Sequence, residues 1–349
     1  MKKNDKYYSY LLLTKVIFYS SLFFAIFIGQ VQAHVITVDN NYPGIGQFNN
    51  LQAAHDAAAS SDTLYVIPSG VAYAAITLTK KLTIYGAGFE SPQPTMPVSL
   101  ISGTMIFDPG SNGSQLQGFG YGNGFSVLIN TSDILIKRNK IWYITVNQGN
   151  SGTVIIQNFI SSNFKWLGDG TPKGLTVNSD NEVFLSNNIF QGADRFAIAA
   201  NTPSVTIMLI NNVFSSVGPY GGHIYVSQKL DIANSNHLVQ NNIFESESEN
   251  LTYMYNNIST NSLPSGNGNI SNVSLSDIFI NSDNDFHLKP SSPAIGSGLN
   301  GVDMGIYGGD TPFIDGGYPD MPVIYFLDVP LNANQKDGLN VIIKSKTNR

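Results

Sequence analysis

The sequence predicts an all-β solenoid, a chain that returns again and again through short strands. One phrase recurs along it: an aliphatic or β-branched strand, one or two asparagines, then a second apolar strand. The copies occupy residues 134–141, 154–160, 183–190, 207–214, 238–244 and 253–258. A unit of about 20–30 residues that contains strand, asparagine and strand is typical of stacked repeats, because one short unit cannot bury its apolar face alone.

The asparagines mark the corner between the two strands of each copy. Asparagine tolerates the left-handed backbone conformation better than other non-glycine residues, and stacked amides can hydrogen-bond along a column. Choosing the asparagine two places before the next apolar residue predicts a ladder of Asn139, Asn158, Asn187, Asn211, Asn241 and Asn256. The alternative is a β-sandwich with asparagine-rich hairpins, but such turns favour Asn-Gly, and here an apolar residue follows.

This pattern resembles the pectate-lyase-like superfamily. The resemblance implies a right-handed, single-stranded parallel β-helix in which one sheet forms a polysaccharide-binding groove. It says less about activity, because one fold can carry many functions and that superfamily includes lyases, hydrolases, epimerases, adhesins and binding proteins.

Residues 1–33 have the features of a secretory signal peptide. Lys2, Lys3 and Lys6 precede the apolar stretch 16–28, and Val31-Gln32-Ala33 offers small residues for cleavage before His34. The alternative is an uncleaved anchor, since 11–28 approaches membrane-spanning length. We expect a secreted or cell-surface protein that contacts no membrane once the signal is removed.

The predicted β-helix domain spans residues 34–309. Helical spacing of Leu51, Ala54, His55 and Ala58 predicts a short helix over Phe48–Ala59. The resemblance implies that this helix caps the N-terminal end of the core, so His55 is interpreted as structural. The run 275–309 resembles a closing segment of such β-helices, and His287 and Asp303 within it are also interpreted as structural.

The C-terminal residues divide by composition. Residues 310–322 are rich in glycine and proline and are predicted to be a linker. Residues 323–349 contain two strand-like pieces, which predict a short β tail.

Composition limits the partners and cofactors. The chain has no cysteine, so neither disulfides nor thiolate metal sites are expected. Charged residues make up 12% of the chain and the net charge is −6, and no basic stripe is present, which argues against a nucleic-acid partner. Polysaccharide or a cell-surface glycan is the expected partner.

The strand before each asparagine-bearing strand is the candidate groove. Alternation predicts that one set of side chains points inward: Ile144, Val146, Leu175, Val177, Phe196, Ile198, Ile224 and Val226. The same alternation directs another set outward: Thr145, Asn147, Thr176, Asn178, Ala197, Ala199, Tyr225 and Ser227. The outward set has no carboxylate and no base. Asn147, Asn178 and Tyr225 are the predicted substrate-binding residues on these strands, with Trp166 as a stacking platform.

Catalytic groups would then come from the adjoining corners. The candidates are Asp180, Asp194, Arg195 and His223. Asn178-Ser179-Asp180 and Gly222-His223 are similar to polygalacturonase motifs, but Asn201-Thr202 stands where that family has paired aspartates, and inverting hydrolysis needs two carboxyl groups. A lyase would need carboxylates that converge on Ca²⁺ and a base near the sugar's acidic proton, for which Asp180, Asp194 and Arg195 are the best trio.

Two functions therefore remain open at the level of sequence. The first is a secreted or cell-surface binding or structural protein that recognises polysaccharide. The second is a polysaccharide lyase or glycoside hydrolase that acts on acidic glycans, with Ca²⁺ as the cofactor if it is a lyase. The acid-poor groove favours the first.

Overall fold

Short parallel strands dominate the fold. A computed structural model describes residues 33–41, 43–91, 97–147, 149–162, 173–178, 182–192, 196–200, 205–216, 224–226, 237–245, 253–282, 285–329, 338–339 and 341–347. The chain is all-β, with long parallel sheets consistent with a parallel β-helix. Among these residues, no helix is long and apolar enough to cross a membrane.

Three parallel sheets carry most of the described strands. The first sheet has ten: Val35–Val38, Thr63–Val66, Thr83–Tyr85, Gln115–Gln117, Leu135–Lys137, Thr153–Ile156, Glu182–Ser186, Thr206–Ile210, Leu238–Gln240 and Met254–Tyr255. The second has seven described strands: Thr77–Leu78, Thr104–Phe107, Ser126–Ile129, Tyr143–Val146, Lys173–Val177, Phe196–Ala200 and Ile224–Val226. The third has six: Lys140–Ile141, Phe159–Ser162, Ile189–Gly192, Val213–Ser216, Ile243–Phe244 and Ile258–Ser259.

The remaining described elements are short. A further parallel sheet contains Tyr73–Ala74, Leu100–Ser102 and Gly120–Tyr121. Two antiparallel pairs follow, Phe279–Asn281 with Asp285–Leu288 and Pro322–Asp328 with Ile342–Thr347. The α-helices are Leu51–Ala57 and Leu275–Ile278, and 3₁₀ turns cover Leu299–Gly301 and Asp315–Gly317.

From residue 126 to residue 226 the chain visits the second, first and third sheets in rotation. We call one such pass a coil. Equivalent residues of successive coils lie in register, as in Val127↔Ile144 and Ile144↔Leu175. Register keeps every inward side chain over its counterpart, so one continuous core forms.

The predicted inward alternation of the second sheet is confirmed where side chains are described. Ile144, Val146, Leu175, Val177 and Ile198 are fully buried. The side chains of Phe196, Ile224 and Val226 lie outside the described residues. On the inner side of the third sheet, Phe190, Phe214 and Phe244 form a stack with ring centroids 4.9 and 5.0 Å apart. Stacked aromatic contacts of this kind add to the stabilisation from burial.

Helix Leu51–Ala57 is shorter than the predicted span 48–59. The side chain of Asn50 accepts a hydrogen bond from the Ala53 N–H and caps the N-terminus. Leu51 and Ala54 are buried in the main core. His55 is buried too, and its Nε2 accepts a hydrogen bond from the Thr79 N–H at 3.3 Å, in agreement with a structural role.

A column of amides joins the coils at the corner between the first and third sheets. We call this column the amide ladder; it consists of Asn139, Asn158, Asn188, Asn212, Asn242, Asn257 and Asn269. All but the partly exposed Asn269 are buried. From Asn158 onwards, each side-chain Oδ1 accepts from the backbone N–H of the preceding member at 2.8–3.0 Å and from its Nδ2 at 3.0–3.2 Å.

The amide ladder differs from the predicted one at four positions. Asn139 and Asn158 are members, but Asn187, Asn211, Asn241 and Asn256 lie one residue before the member of their coil. Strand register explains the difference, since Phe159 pairs with Ile189 and so Asn158 corresponds to Asn188. The residues before the ladder form a second column, the corner row, which consists of Arg138, Gln157, Asn187, Asn211, Asn241 and Asn256. All have φ between 53° and 58°, the left-handed conformation that turns the corner.

The corner row binds the segment 297–320, which we call the strap. Its backbone carbonyls accept hydrogen bonds from the corner amides of Asn256, Asn211, Asn187 and Gln157, in that order as the strap number rises. Arg138 completes the series with a hydrogen bond to Tyr318 O and an ion pair to Asp320 at 2.8 Å. The strap therefore runs back along the coils, from the C-terminal ones towards the N-terminal ones.

The strap also covers the outer side of the third sheet. Met304, Ile306 and Phe313 are buried in a second apolar cluster with Ile189 and Val213. This cluster gives the third sheet a packed layer on both sides. Residues 311–320, which lie within the predicted linker 310–322, take part in these strap contacts.

Candidate functional site

The outer side of the second sheet presents a polar column at the ends of its strands. Asn130 Nδ2 donates to Asp108 Oδ1 at 2.7 Å, Asn147 Nδ2 donates to Asn130 Oδ1 at 2.7 Å, and Asn178 Nδ2 approaches Asn147 Oδ1 at 3.3 Å. All four side chains are partly exposed. We call this column, Asp108, Asn130, Asn147 and Asn178, the outer ladder.

Strand register aligns the four residues of the outer ladder on successive strands. Phe107, Ile129, Val146 and Val177 pair across four successive strands, and each ladder residue is the next one along the chain. The backbone N–H groups of Asn130, Asn147 and Asn178 donate to the preceding strand at 2.7–2.9 Å, so the register continues through these positions. The side chains are consequently held about one strand spacing apart, roughly 4.8 Å.

Hydroxyl and aromatic groups accompany the outer ladder. Thr145 pairs with Thr176 in register, and both are partly exposed. Tyr143 precedes Thr145 on the same face and is 37% exposed. A phenol ring next to amides and hydroxyls can stack on the apolar face of a sugar while the polar groups bind its hydroxyls.

The outer side of the first sheet, unlike that of the second, presents an apolar row. Leu135, Val154, Phe184, Met208 and Leu238 pair in register and form an apolar row, each residue partly exposed. An apolar row lacks the donors and acceptors that orient a sugar. The second sheet is therefore the better candidate for glycan recognition.

Sequence reasoning predicted part of this site. The structure brings Asn147 and Asn178 together, as two neighbours in one hydrogen-bonded column. The prediction from sequence did not include Asp108 and Asn130. The sequence feature that could have indicated them is the Asp or Asn that directly follows each strand, in TMIFD, SVLIN, ITVN and LTVN.

The other predicted site residues are not placed. Asp180, Asp194, Arg195, His223 and Trp166 lie outside the described residues, and so does the side chain of Tyr225. The catalytic and calcium hypotheses therefore remain predictions. Within the part of the chain that the structure describes, no group of three or more His, Asp or Glu residues is arranged to hold a metal ion.

Comparisons with known proteins identify no relative. No protein-family model matches the chain, and searches of the curated proteins and of the solved structures find no similar protein.

Proposed function

We propose that this protein is an exported parallel β-helix protein that binds polysaccharide on the outer side of its second sheet. The proposal includes a right-handed, single-stranded coil whose N-terminal end is closed by helix Leu51–Ala57. Export rests on the features of residues 1–33, and the helix position rests on burial of Leu51 and Ala54 in the main core.

The single observation that carries the binding proposal is the outer ladder. Its amides repeat at the strand spacing of about 4.8 Å, which is comparable to the length of one sugar residue in a polysaccharide. Each amide offers donors and acceptors, and a sugar hydroxyl needs both. A regular column therefore suits a regular polymer that lies across the strands.

The same face favours binding over hydrolysis. Glycosidases place two carboxyl groups about 5–10 Å apart around the bond that is cleaved. Among the described residues of the outer ladder, Asp108 is the single carboxylate, and its Oδ1 accepts a hydrogen bond from Asn130. One carboxylate at the end of the column provides neither an acid–base pair nor a nucleophile with its acid.

A binding screen with matched variants tests the proposal. Purified protein is titrated with pectins, alginate and glycosaminoglycans, and the Kd for the best ligand is compared with those of Asn147→Ala and Thr176→Ala. Loss of one or two hydrogen bonds, each worth about 0.5–1.5 kcal/mol, should weaken binding about 2- to 100-fold. Melting temperatures of the variants report whether the fold is retained.

The control is Gln240→Ala. Gln240 is a partly exposed amide at the end of a first-sheet strand, so its removal should leave the Kd unchanged. Absence of polysaccharide binding would contradict the proposed function. An equal loss in Gln240→Ala would contradict the assignment to the second sheet.

A further inference from the structure

A pocket of about 320 Å³ opens where the strap meets the third sheet. This volume is in the range of small-molecule sites. The pocket is separate from the outer ladder, which belongs to the second sheet. Its apolar and aromatic lining residues are Phe89, Phe159, Ile189, Phe286, Tyr307 and Phe313.

Four polar side chains complete the lining: Glu90, Asp285, His287 and Asp315. They come from three distant parts of the chain, so the pocket exists only when the strap is folded back. No Lys or Arg is among the described residues that line it. With three carboxylates and one imidazole, the lining carries a charge of −3 when His287 is neutral and −2 when it is protonated.

The polar groups are ordered by mutual contacts. His287 Nδ1 lies 2.7 Å from Asp285 Oδ1, and the His287 ring stacks on the Tyr307 ring at 4.1 Å. The Tyr307 hydroxyl donates to Asp315 Oδ1 at 2.6 Å. Asp315 Oδ2 lies 3.7 Å from His287 Nε2. Glu90 and Asp315 are exposed, so their carboxylate oxygens are accessible to a further donor.

The carboxylates of the pocket act on the hydroxyl of Tyr307. Burial is the largest cause that raises the pKa of its hydroxyl, and Asp315, Asp285 and Glu90 all raise that pKa further. Three carboxylates thus act on one partly buried group. A cleft lined by charges of one sign attracts ions of the opposite sign, here cations.

We propose that this pocket binds a small organic cation, an ammonium group attached to an apolar body. Carboxylate oxygens of Glu90 and Asp315 accept the N–H donors, and the rings of Tyr307 and Phe313 face the charge and the apolar body. Tyr307 and Phe313 are arranged edge to face at 6.2 Å, and aromatic faces attract ammonium groups. Charge complementarity, aromatic walls and volume all agree with this occupant.

Other ligand classes fit less well. An anion would be repelled by the three carboxylates. A divalent metal needs several oxygen ligands that converge, and the described residues form no such group. A neutral sugar would stack on the rings but leave the negative charge uncompensated.

Titration with a pair of probes tests the proposal. Phenethylammonium chloride and 2-phenylethanol share the aromatic body and differ in charge. Full-length protein is titrated with each, and binding is followed by calorimetry. We expect the ammonium probe to bind and the alcohol to bind at least about tenfold more weakly, since hydrogen bonds to charged groups are the stronger ones.

Variants locate the site. Glu90→Gln and Asp315→Asn should each weaken ammonium binding about tenfold or more, while the side-chain amide of Asn at 315 can still accept from Tyr307. Asp310→Asn is the matched control, because Asp310 is exposed on the same strap and does not line the pocket. Unchanged melting temperatures of Glu90→Gln and Asp315→Asn exclude loss of fold in these two variants. Phe313→Leu is a second kind of variant: it removes the ring without changing charge, and a cooperative thermal transition shows that it still folds.

The outcomes are decisive in either direction. Selective binding of the ammonium probe, lost in Glu90→Gln, Asp315→Asn and Phe313→Leu and retained in Asp310→Asn, supports the proposal. Equal affinity for both probes, no binding of the ammonium probe, or an equal loss in Asp310→Asn overturns it. Displacement of the ammonium probe by a neutral methyl glycoside, with comparable affinity, also overturns it and assigns the pocket to sugars.

Discussion

Removal of the strap is expected to abolish cooperative folding. A chain that ends at residue 296 lacks Met304, Ile306 and Phe313, which are buried against the third sheet. Burial of each such side chain contributes about 1.5–3 kcal/mol, whereas a whole domain has a net stability of about 5–15 kcal/mol. The shortened chain also lacks the strap carbonyls that accept hydrogen bonds from the corner amides of Asn256, Asn211 and Asn187. Thermal unfolding followed by circular dichroism should show no cooperative transition.

A second truncation provides the control. A chain that ends at residue 321 keeps the strap and lacks residues 322–349, which include the antiparallel pair Pro322–Asp328 and Ile342–Thr347. Residues 339 and 341–343 of this segment are exposed, so its loss should change the melting temperature little. A cooperative transition in the chain that ends at 296, at the temperature of the full chain, would show that the strap is dispensable.

Replacement of one amide-ladder residue is expected to be the most harmful single substitution. Asn212 Nδ2 donates to Leu185 O, Ile210 O and Asn242 Oδ1, and its Oδ1 accepts from the N–H and Nδ2 of Asn188. Asn212→Leu fills similar space but leaves several buried polar atoms unpaired, each at a cost of about 1–3 kcal/mol. The free energy of unfolding should fall by about 3–6 kcal/mol in denaturant titrations.

Asn211→Gly is the matched control at the adjacent position. Glycine adopts the positive φ of 56° without strain, so this change removes the side-chain bonds to Asp303 O and Gly305 O and the bond accepted from Asn241 Nδ2. The expected cost is about 1–3 kcal/mol. If Asn211→Gly were as harmful as Asn212→Leu, the column of Asn188, Asn212 and Asn242 would not be the main source of corner stability.

The strands and their inward residues could be predicted because alternation and burial are local properties. Leu175 and Val177 had to point inward once Thr176 pointed outward. The ladder position could not be fixed in Asn-Asn pairs such as 187–188, because both residues suit a corner and only pairing with Phe159 decides between them. Where the corner residue is Arg138 or Gln157, the choice was unambiguous.

The strap and its pocket could not be predicted from the sequence, for another reason. Corner amides bind backbone carbonyls of the strap, and every residue type has a backbone carbonyl, so the sequence does not indicate these contacts. Gly308 is an example. A Cβ there would lie 2.8 Å from the Asp303 carbonyl carbon, but the sequence shows only that the segment is rich in glycine. Glu90 and Asp315 meet only after the strap has packed, so their proximity is a property of the fold.

A crystal structure of the complex shows whether polysaccharide binds across the strands of the second sheet. Crystals are soaked with an oligosaccharide of the polysaccharide that binds best. We expect a chain along the outer ladder, with sugar hydroxyls bound to Asn147 and Thr176 and a sugar ring against Tyr143. A chain bound on the apolar row of the first sheet, or an outer ladder that stays empty at saturating ligand, would contradict it.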